Sequence, residues 1–76
     1  MKLSEFEKGR SGIVLEFESR ELEVLLLKHG LVAGDTIVVT DVAPMGGPIA
    51  VRVESHKIAL RRRDAQMIVV KPTESA

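Results

Sequence analysis

Two glycines, Gly30 and Gly34, separate a segment whose apolar residues have helical spacing from a segment whose residues favour a β-strand. The helical run spans Arg20 to His29 and follows Ser19, a residue type that often caps helix N-termini. Gly30 stands where a helix end needs a positive φ, which glycine adopts without a steric penalty. Because the chain must reverse within so few residues, we expect the helix to cover one end of a β structure and to return the chain to a strand.

The predicted helix has two apolar faces. Val24 and Leu27 point away from the arc that we expect to face the core. Leu31, just beyond Gly30, is expected to fold back onto the last helical turn, as in a Schellman ending. The core-facing arc comprises Leu22, Leu25, Leu26 and His29.

Alternating apolar residues predict five short strands around this helix. In the first strand, Ile13, Leu15 and Phe17 are expected to face inward, and Val14 outward. The predicted strands cover residues 13–18, 36–42, 49–54, 58–60 and 67–71.

The remaining segments are predicted as turns. Ser55-His56 is predicted to be a tight turn, and Arg61 to Gln66 a single helical turn with Ala65 packed inward. Residues 72–76 are predicted to be a frayed tail because Pro72 would stop the last strand. The predicted fold is therefore mainly β: a small five-stranded barrel with one mid-chain α-helix and a single helical turn before the last strand, in one domain of residues 1–76.

Composition excludes several classes of function. Lys plus Arg number 11 and Asp plus Glu number 11, so no net charge steers the chain toward nucleic acid. The absence of cysteine excludes disulfides and thiolate metal sites. The longest apolar runs are far shorter than a membrane span, and the N-terminus has no apolar stretch of signal-peptide length. We therefore expect a cytoplasmic domain.

Residues for catalysis or cofactor binding are not predicted anywhere in the chain. No glycine opens a phosphate-binding loop, because none is followed by Lys-Ser or Lys-Thr. Ser55 and His56 are adjacent, and adjacent residues at a strand end point apart. His29 and His56 are the only histidines, and ferrous iron accepts such ligands. However, they lack a clear third ligand, so no metal site is predicted: we expect His29 to bond at the helix end and His56 to be solvated.

The run Arg61-Arg62-Arg63, near Arg52 and Lys57, is the only local cluster of charge. It could be a solvated face, a contact for a protein partner or a patch for RNA. Zero net charge and the lack of aromatic residues for base stacking argue against RNA.

A surplus of apolar residues outside the predicted core indicates a protein-binding face. Besides the helix residues, outward positions are predicted for Val14, Val38 and Val42. The alternative is that a longer loop or a second copy of the chain covers these residues. The Gly/Pro loop after the second strand is also expected to be exposed. The predicted partner-binding residues are Val24, Leu27, Pro44, Met45, Gly46, Gly47 and Pro48.

The order and spacing of several short motifs resemble the FeoA family of bacterial ferrous iron transport. Ala33 and Ser55 depart from the family pattern, which often has proline and glycine there. The matching segments are Leu3, Gly9, His29 to Val39, Gly47-Pro48, Ile58 to Arg61 and Ala65 to Val69.

This resemblance implies an SH3-like barrel that binds the FeoB transporter, which carries a GTP-binding domain and a membrane pore. The expected function is that of a non-enzymatic accessory protein of ferrous iron uptake, with no cofactor of its own. Two alternatives remain at this point: a small RNA-binding barrel that uses Arg61 to Arg63, and a direct ferrous iron carrier. The exposed apolar face could equally be buried in a homo-oligomer.

Overall fold

The computed structural model describes residues 1–73 as five strands, two short helices and one 3₁₀ turn. The strands form one antiparallel sheet with the order β4-β3-β2-β1-β5. In chain order the elements are the 3₁₀ turn (Leu3–Glu5), β1 (Ser11–Phe17), α1 (Arg20–Lys28), β2 (Thr36–Val42), β3 (Ile49–Val53), β4 (His56–Leu60), α2 (Arg62–Ala65) and β5 (Ile68–Thr73).

Two bulges allow this sheet to coil around its core. The register shifts between Val14 and Glu16 in β1 and between Val39 and Asp41 in β2. Such bulges bend a strand and increase its twist, which a small barrel needs. The predicted mainly β fold is confirmed. The buried apolar residues form one cluster, which includes Leu3, Phe6, Val14, Leu22, Leu26, Leu31, Ile37, Val39, Val51, Leu60, Ala65, Ile68 and Val70.

Helix α1 begins and ends as the sequence predicts. The Ser19 side-chain oxygen accepts a hydrogen bond from the Leu22 amide at 3.2 Å. Gly30 has a φ of 85° and donates to the Leu27 carbonyl, while Leu31 donates to the Leu26 carbonyl at 2.8 Å. This pair of bonds defines a Schellman ending, and it carries Leu31 into the core.

The inward face of β1 differs from the prediction. Gly12 and Val14 are buried, whereas Leu15 is half exposed and Phe17 only partly buried. Gly12 faces inward because β5 packs directly against it: a Cβ there would lie 2.4 Å from a Val70 methyl group. Since glycine carries no hydrophobic signal, the alternation in the sequence indicated the wrong face, and the bulge then shifts the residues that follow.

Other boundaries are also corrected. The turn between β3 and β4 is Glu54-Ser55, and His56 already pairs with Val53. Strand β5 continues through Pro72 to Thr73, so the predicted tail of residues 72–76 begins too early, and its residues 74–76 lie outside the described part of the chain. Proline is tolerated at this place because β5 is an edge strand.

Two apolar assignments outside β1 also change. Leu25, assigned to the core-facing arc, is 44% exposed because the sheet covers only the narrower stripe of Leu22 and Leu26. Val38, assigned to the surface, is partly buried, whereas Val42 is exposed as predicted.

Candidate functional site

The outward face of α1 forms one wall of a largely apolar groove, which we call the helix groove and which Arg20 and Glu23 also line. Val24 and Leu27 are 44% and 59% exposed, as the sequence predicts. Phe17, at the end of β1, and Val32, in the connection beyond the helix, contribute other walls of this groove, which has a volume of about 170 Å³. The bulge in β1 and the Schellman ending of α1 therefore bring four apolar side chains together around one exposed depression.

The segment Pro44–Pro48, here called the tip loop, joins β2 to β3 in a tightly bonded turn. The Gly47 amide donates to the Pro44 carbonyl at 3.1 Å, and the Ala43 amide donates to the Pro48 carbonyl at 3.0 Å. Met45 and Gly46 both have positive φ, 58° and 73°, as in a type I′ turn.

This turn presents Met45 at its outermost point, where the side chain is fully exposed. A methionine in the left-handed region is strained by about 1–2 kcal/mol relative to an ordinary conformation. The strain is not offset by packing within the described chain. A flexible, polarisable side chain in this position is suited to contact another surface.

Arg62 holds the tip loop in place, a role that the sequence did not reveal. Its guanidinium group donates to the Ala43 carbonyl at 2.9 Å and to the Gly47 carbonyl at 3.1 Å. One planar cation thus joins the two sides of the loop from α2. In the sequence, only the run of three arginines indicated a role for this region, and the run did not distinguish Arg62 from its neighbours.

The two groups of predicted contact residues do not form one patch. The connection that borders the helix groove precedes β2, and the tip loop follows it. A strand of seven residues spans up to about 20 Å. A partner that contacts both groups must therefore extend along the barrel.

The basic run Arg61-Arg62-Arg63 is not a patch of three free cations. The Arg61 Nε donates to the Asp64 carboxylate at 3.3 Å, and Arg62 is bonded to the tip loop. Within residues 1–73, Arg63 is the only one of the three that makes neither an ion pair nor a hydrogen bond through its side chain. This arrangement reduces the positive charge available to a phosphate backbone.

Both histidines bond to backbone carbonyls at the C-terminal end of α1. The His29 Nδ1 donates to the Leu25 carbonyl at 2.9 Å, as predicted for a residue at a helix end. His56 was predicted to be simply solvated, but its Nε2 donates to the His29 carbonyl at 3.1 Å. Neither contact creates a metal centre: in the part of the chain that the structure describes, no three His, Asp or Glu residues are placed to hold a metal ion.

Comparison with known proteins relates this fold to iron transport. A family model described as the FeoA domain matches residues 1–72. The Fe(2+) transport protein A/Fe(2+) transporter FeoB fusion protein of Porphyromonas gingivalis is 35% identical over 72 residues, which are 93% of this chain. The chain spans only 8% of the length of that relative. None of the helices in residues 1–73 has the length and hydropathy needed to span a membrane.

Two solved structures support the same relationship. Iron(II) transport protein A from Clostridium thermocellum is 36% identical and superimposes with a TM-score of 0.86, covering 96% of this chain and 46% of the other. The zinc complex of FeoA from Stenotrophomonas maltophilia, described as a procaryotic SH3 domain protein, is 26% identical with a TM-score of 0.81. It covers 100% of this chain and 99% of the other, so the predicted SH3-like fold is confirmed.

Proposed function

Because the chain belongs to the FeoA domain family, which is linked to ferrous iron transport, we propose that it is a non-enzymatic accessory protein that binds a FeoB-type transporter. The observation that carries this proposal is the helix groove, where Val24 and Leu27 are exposed beside Phe17 and Val32. On a body of this size, exposed apolar side chains that are grouped together and rimmed by charged residues, here Arg20 and Glu23, mark an interaction site.

The Porphyromonas gingivalis relative supports the choice of partner. In that protein a segment similar to this chain belongs to the same polypeptide as a FeoB transporter. Joining two modules in one chain raises the effective concentration of each for the other. A separate chain of this family would have to reach the same transporter through surface contacts alone.

The size of the helix groove indicates that it is not the whole interface. Full burial of one Leu or Val side chain contributes about 1.5–3 kcal/mol, and association itself costs at least about 4 kcal/mol. Val24 and Leu27 together would therefore give weak binding. We propose that Met45, presented by the tip loop Pro44–Pro48, supplies a second anchor.

The two rival functions draw no specific support. RNA binding would need free cations and stacking side chains, but Arg61 and Arg62 are engaged within the described chain. An iron carrier would need a third ligand near His29 and His56. Counterion release would make RNA binding fall steeply with salt, whereas an apolar protein contact would not.

The test is binding of a detergent-solubilised FeoB-type transporter to immobilised chain. We expect Leu27→Asp to weaken binding by about tenfold or more while the circular dichroism spectrum stays native. The matched control is Leu15→Asp, because Leu15 is 50% exposed and lies outside the helix groove. Equal binding by both variants would contradict the assignment of the groove, and failure of the unaltered chain to retain the transporter would contradict the function.

A further inference from the structure

We propose that the free edge of β4 binds an extended acidic segment of a partner protein as an additional strand of the sheet. This edge is distinct from the helix groove, because it lies on the opposite side of α1. Backbone hydrogen bonds would supply the affinity of such an interaction, and alternating side chains of the added strand would supply its specificity.

The two edges of the sheet differ in how they are covered. Strand β5 is met on its outer side by the N-terminus: Lys2 forms a bridge with Val69, and the Val70 amide donates to the Met1 carbonyl at 2.7 Å. Strand β4 pairs with β3 alone. Within residues 1–73, no backbone hydrogen bond joins β4 to α1 or to any element other than β3.

The hairpin register identifies the groups that are available on this edge. Glu54-Ser55 is a two-residue turn, so Val53 and His56 form a hydrogen-bonded pair. Such pairs alternate along an antiparallel ladder with pairs that are not bonded to each other. The backbone N–H and C=O groups of Lys57 and Ala59 therefore point away from β3, toward the place that an added strand would occupy.

Depressions lie on both sides of this edge, and Ala59 borders both. On the inner side, a groove of about 180 Å³ runs between α1 and β4, with Leu25 in its wall and His29 and Arg61 also lining it. We call it the edge groove. The exposure of Leu25, which the helical pattern had assigned to the core, is explained by this groove.

On the outer side, a trough of about 370 Å³ lies over the small side chains of Ala50 and Ala59, which face each other across the β3–β4 ladder. Val42 and Pro48 contribute its apolar walls. Successive side chains of a strand point to opposite faces. A docked segment would thus place alternate side chains in the edge groove and in the trough.

The charge around the edge favours an acidic segment. Lys57 lies directly across from Arg52, so two cations are adjacent on the outer face. The Asp41 carboxylate lies 3.9 Å from the Lys57 Nζ, which makes a long ion pair, and both side chains are well exposed. Arg52 makes no ion pair within residues 1–73. A carboxylate at the end of the added strand that lies beside Arg52 and Lys57 would relieve this like-charge contact.

The experiment uses the full chain and a synthetic peptide, acetyl-Asp-Val-Thr-Val-Thr-Val-Asp-amide, whose acidic ends serve either strand direction. Titration is followed by NMR and by amide hydrogen exchange. We expect the Lys57 and Ala59 amides to exchange about tenfold more slowly with the peptide, while the already bonded Ile58 amide changes little. A peptide with lysine in place of each aspartate should bind about tenfold more weakly.

Two proline variants complete the design. Ala59→Pro removes a free N–H that makes no ladder bond, so the fold should survive and peptide binding should fall by about tenfold. Ala33→Pro, in the exposed connection after α1, is the proline control and should bind normally.

The proposal is overturned if no saturable binding occurs at millimolar peptide, or if the exchange changes fall in the helix groove instead. It is also overturned if the chain sediments as a dimer that Ala59→Pro abolishes, because the edge would then hold a second copy. Transporter binding is measured separately with Leu27→Asp, so either proposal can fail without the other.

Discussion

Leu26 and Leu27 are neighbours in α1 with opposite environments: Leu26 is 2% exposed and Leu27 is 59% exposed. The two residues have the same chemistry and the same helix propensity. They differ only in which side of the helix the sheet covers. Folding needs one narrow apolar stripe of α1, together with the Leu31 side chain that the Schellman ending returns to the core. The apolar residues of α1 outside that stripe are not part of the buried core, and their contact with another molecule is what we propose.

The largest expected difference between the two faces of α1 is in the free energy of unfolding of their alanine variants. Leu26→Ala should lower the free energy of unfolding by about 2–5 kcal/mol, because it leaves a cavity in a packed core. Leu27→Ala should change it by no more than about 0.5 kcal/mol. Urea denaturation of both variants measures the difference. If Leu27→Ala were as costly as Leu26→Ala, the outward face would belong to the fold, and the helix groove would lose its functional interpretation.

The end of α1 provides the next comparison, between two glycines with positive φ. Gly30 and Gly34 have φ values of 85° and 97°. An added Cβ at Gly30 would lie 3.0 Å from the His56 Nε2, whereas a Cβ at Gly34 would meet open space. Both alanine variants should lose about 1–2 kcal/mol through backbone strain.

Gly30→Ala should lose about 1 kcal/mol more than Gly34→Ala, because it also displaces the His56 side chain from the His29 carbonyl. Thermal unfolding of both variants, alone and combined with His56→Ala, separates the two contributions. If the extra loss persists when His56 is already alanine, the contact between His56 and the helix end is not its cause.

Local signals predicted a large part of the fold. Ser19 and Gly30 mark the ends of α1 through hydrogen bonds made within a few residues, so the sequence alone determined them. The strand count, the short helix before β5 and the burial of Ala65 followed from patterns of similar range. The exposure of Val24 and Leu27 was also predicted, although their role in binding remains a prediction.

The wrong predictions concern residues whose burial or contacts depend on segments that are distant in the sequence. Gly12 faces the core because Val70 packs against it, and Leu25 is exposed because only an open groove lies between it and β4. Arg62 reaches the tip loop across 15 and 19 residues of chain, and His56 reaches α1 across 27. Local periodicity does not encode such contacts. The sequence could therefore indicate that the tip loop is exposed, but not which side chain holds it in place.

The Arg62 contact makes the tip loop a second region to compare with the helix groove, because a distant side chain holds the loop in place. Arg62→Gln should lower the free energy of unfolding by about 1–2 kcal/mol, since its two bonds to carbonyls are partly buried. Arg62→Lys is the control: it keeps the charge but cannot donate to both carbonyls from one planar group, so it should recover little. NMR order parameters for residues 44–47 should fall in both variants. Unchanged order would mean that the loop holds its own shape.

The smallest expected change in the free energy of unfolding comes from substitution of Met45, and the sign of this change is what is informative. Asparagine tolerates the left-handed region better than methionine does, and the Met45 side chain makes no buried contact to lose. Met45→Asn should therefore raise the free energy of unfolding by about 0.5–1 kcal/mol, measured by urea denaturation.

If the tip loop is the second anchor for a FeoB-type transporter, the same variant should bind that transporter more weakly. A variant that gains stability and keeps full binding would remove the tip loop from the interface and leave the helix groove to act alone. Opposite changes in stability and binding would instead show that a strained conformation is retained for contact with a partner, as trade-offs between stability and function predict.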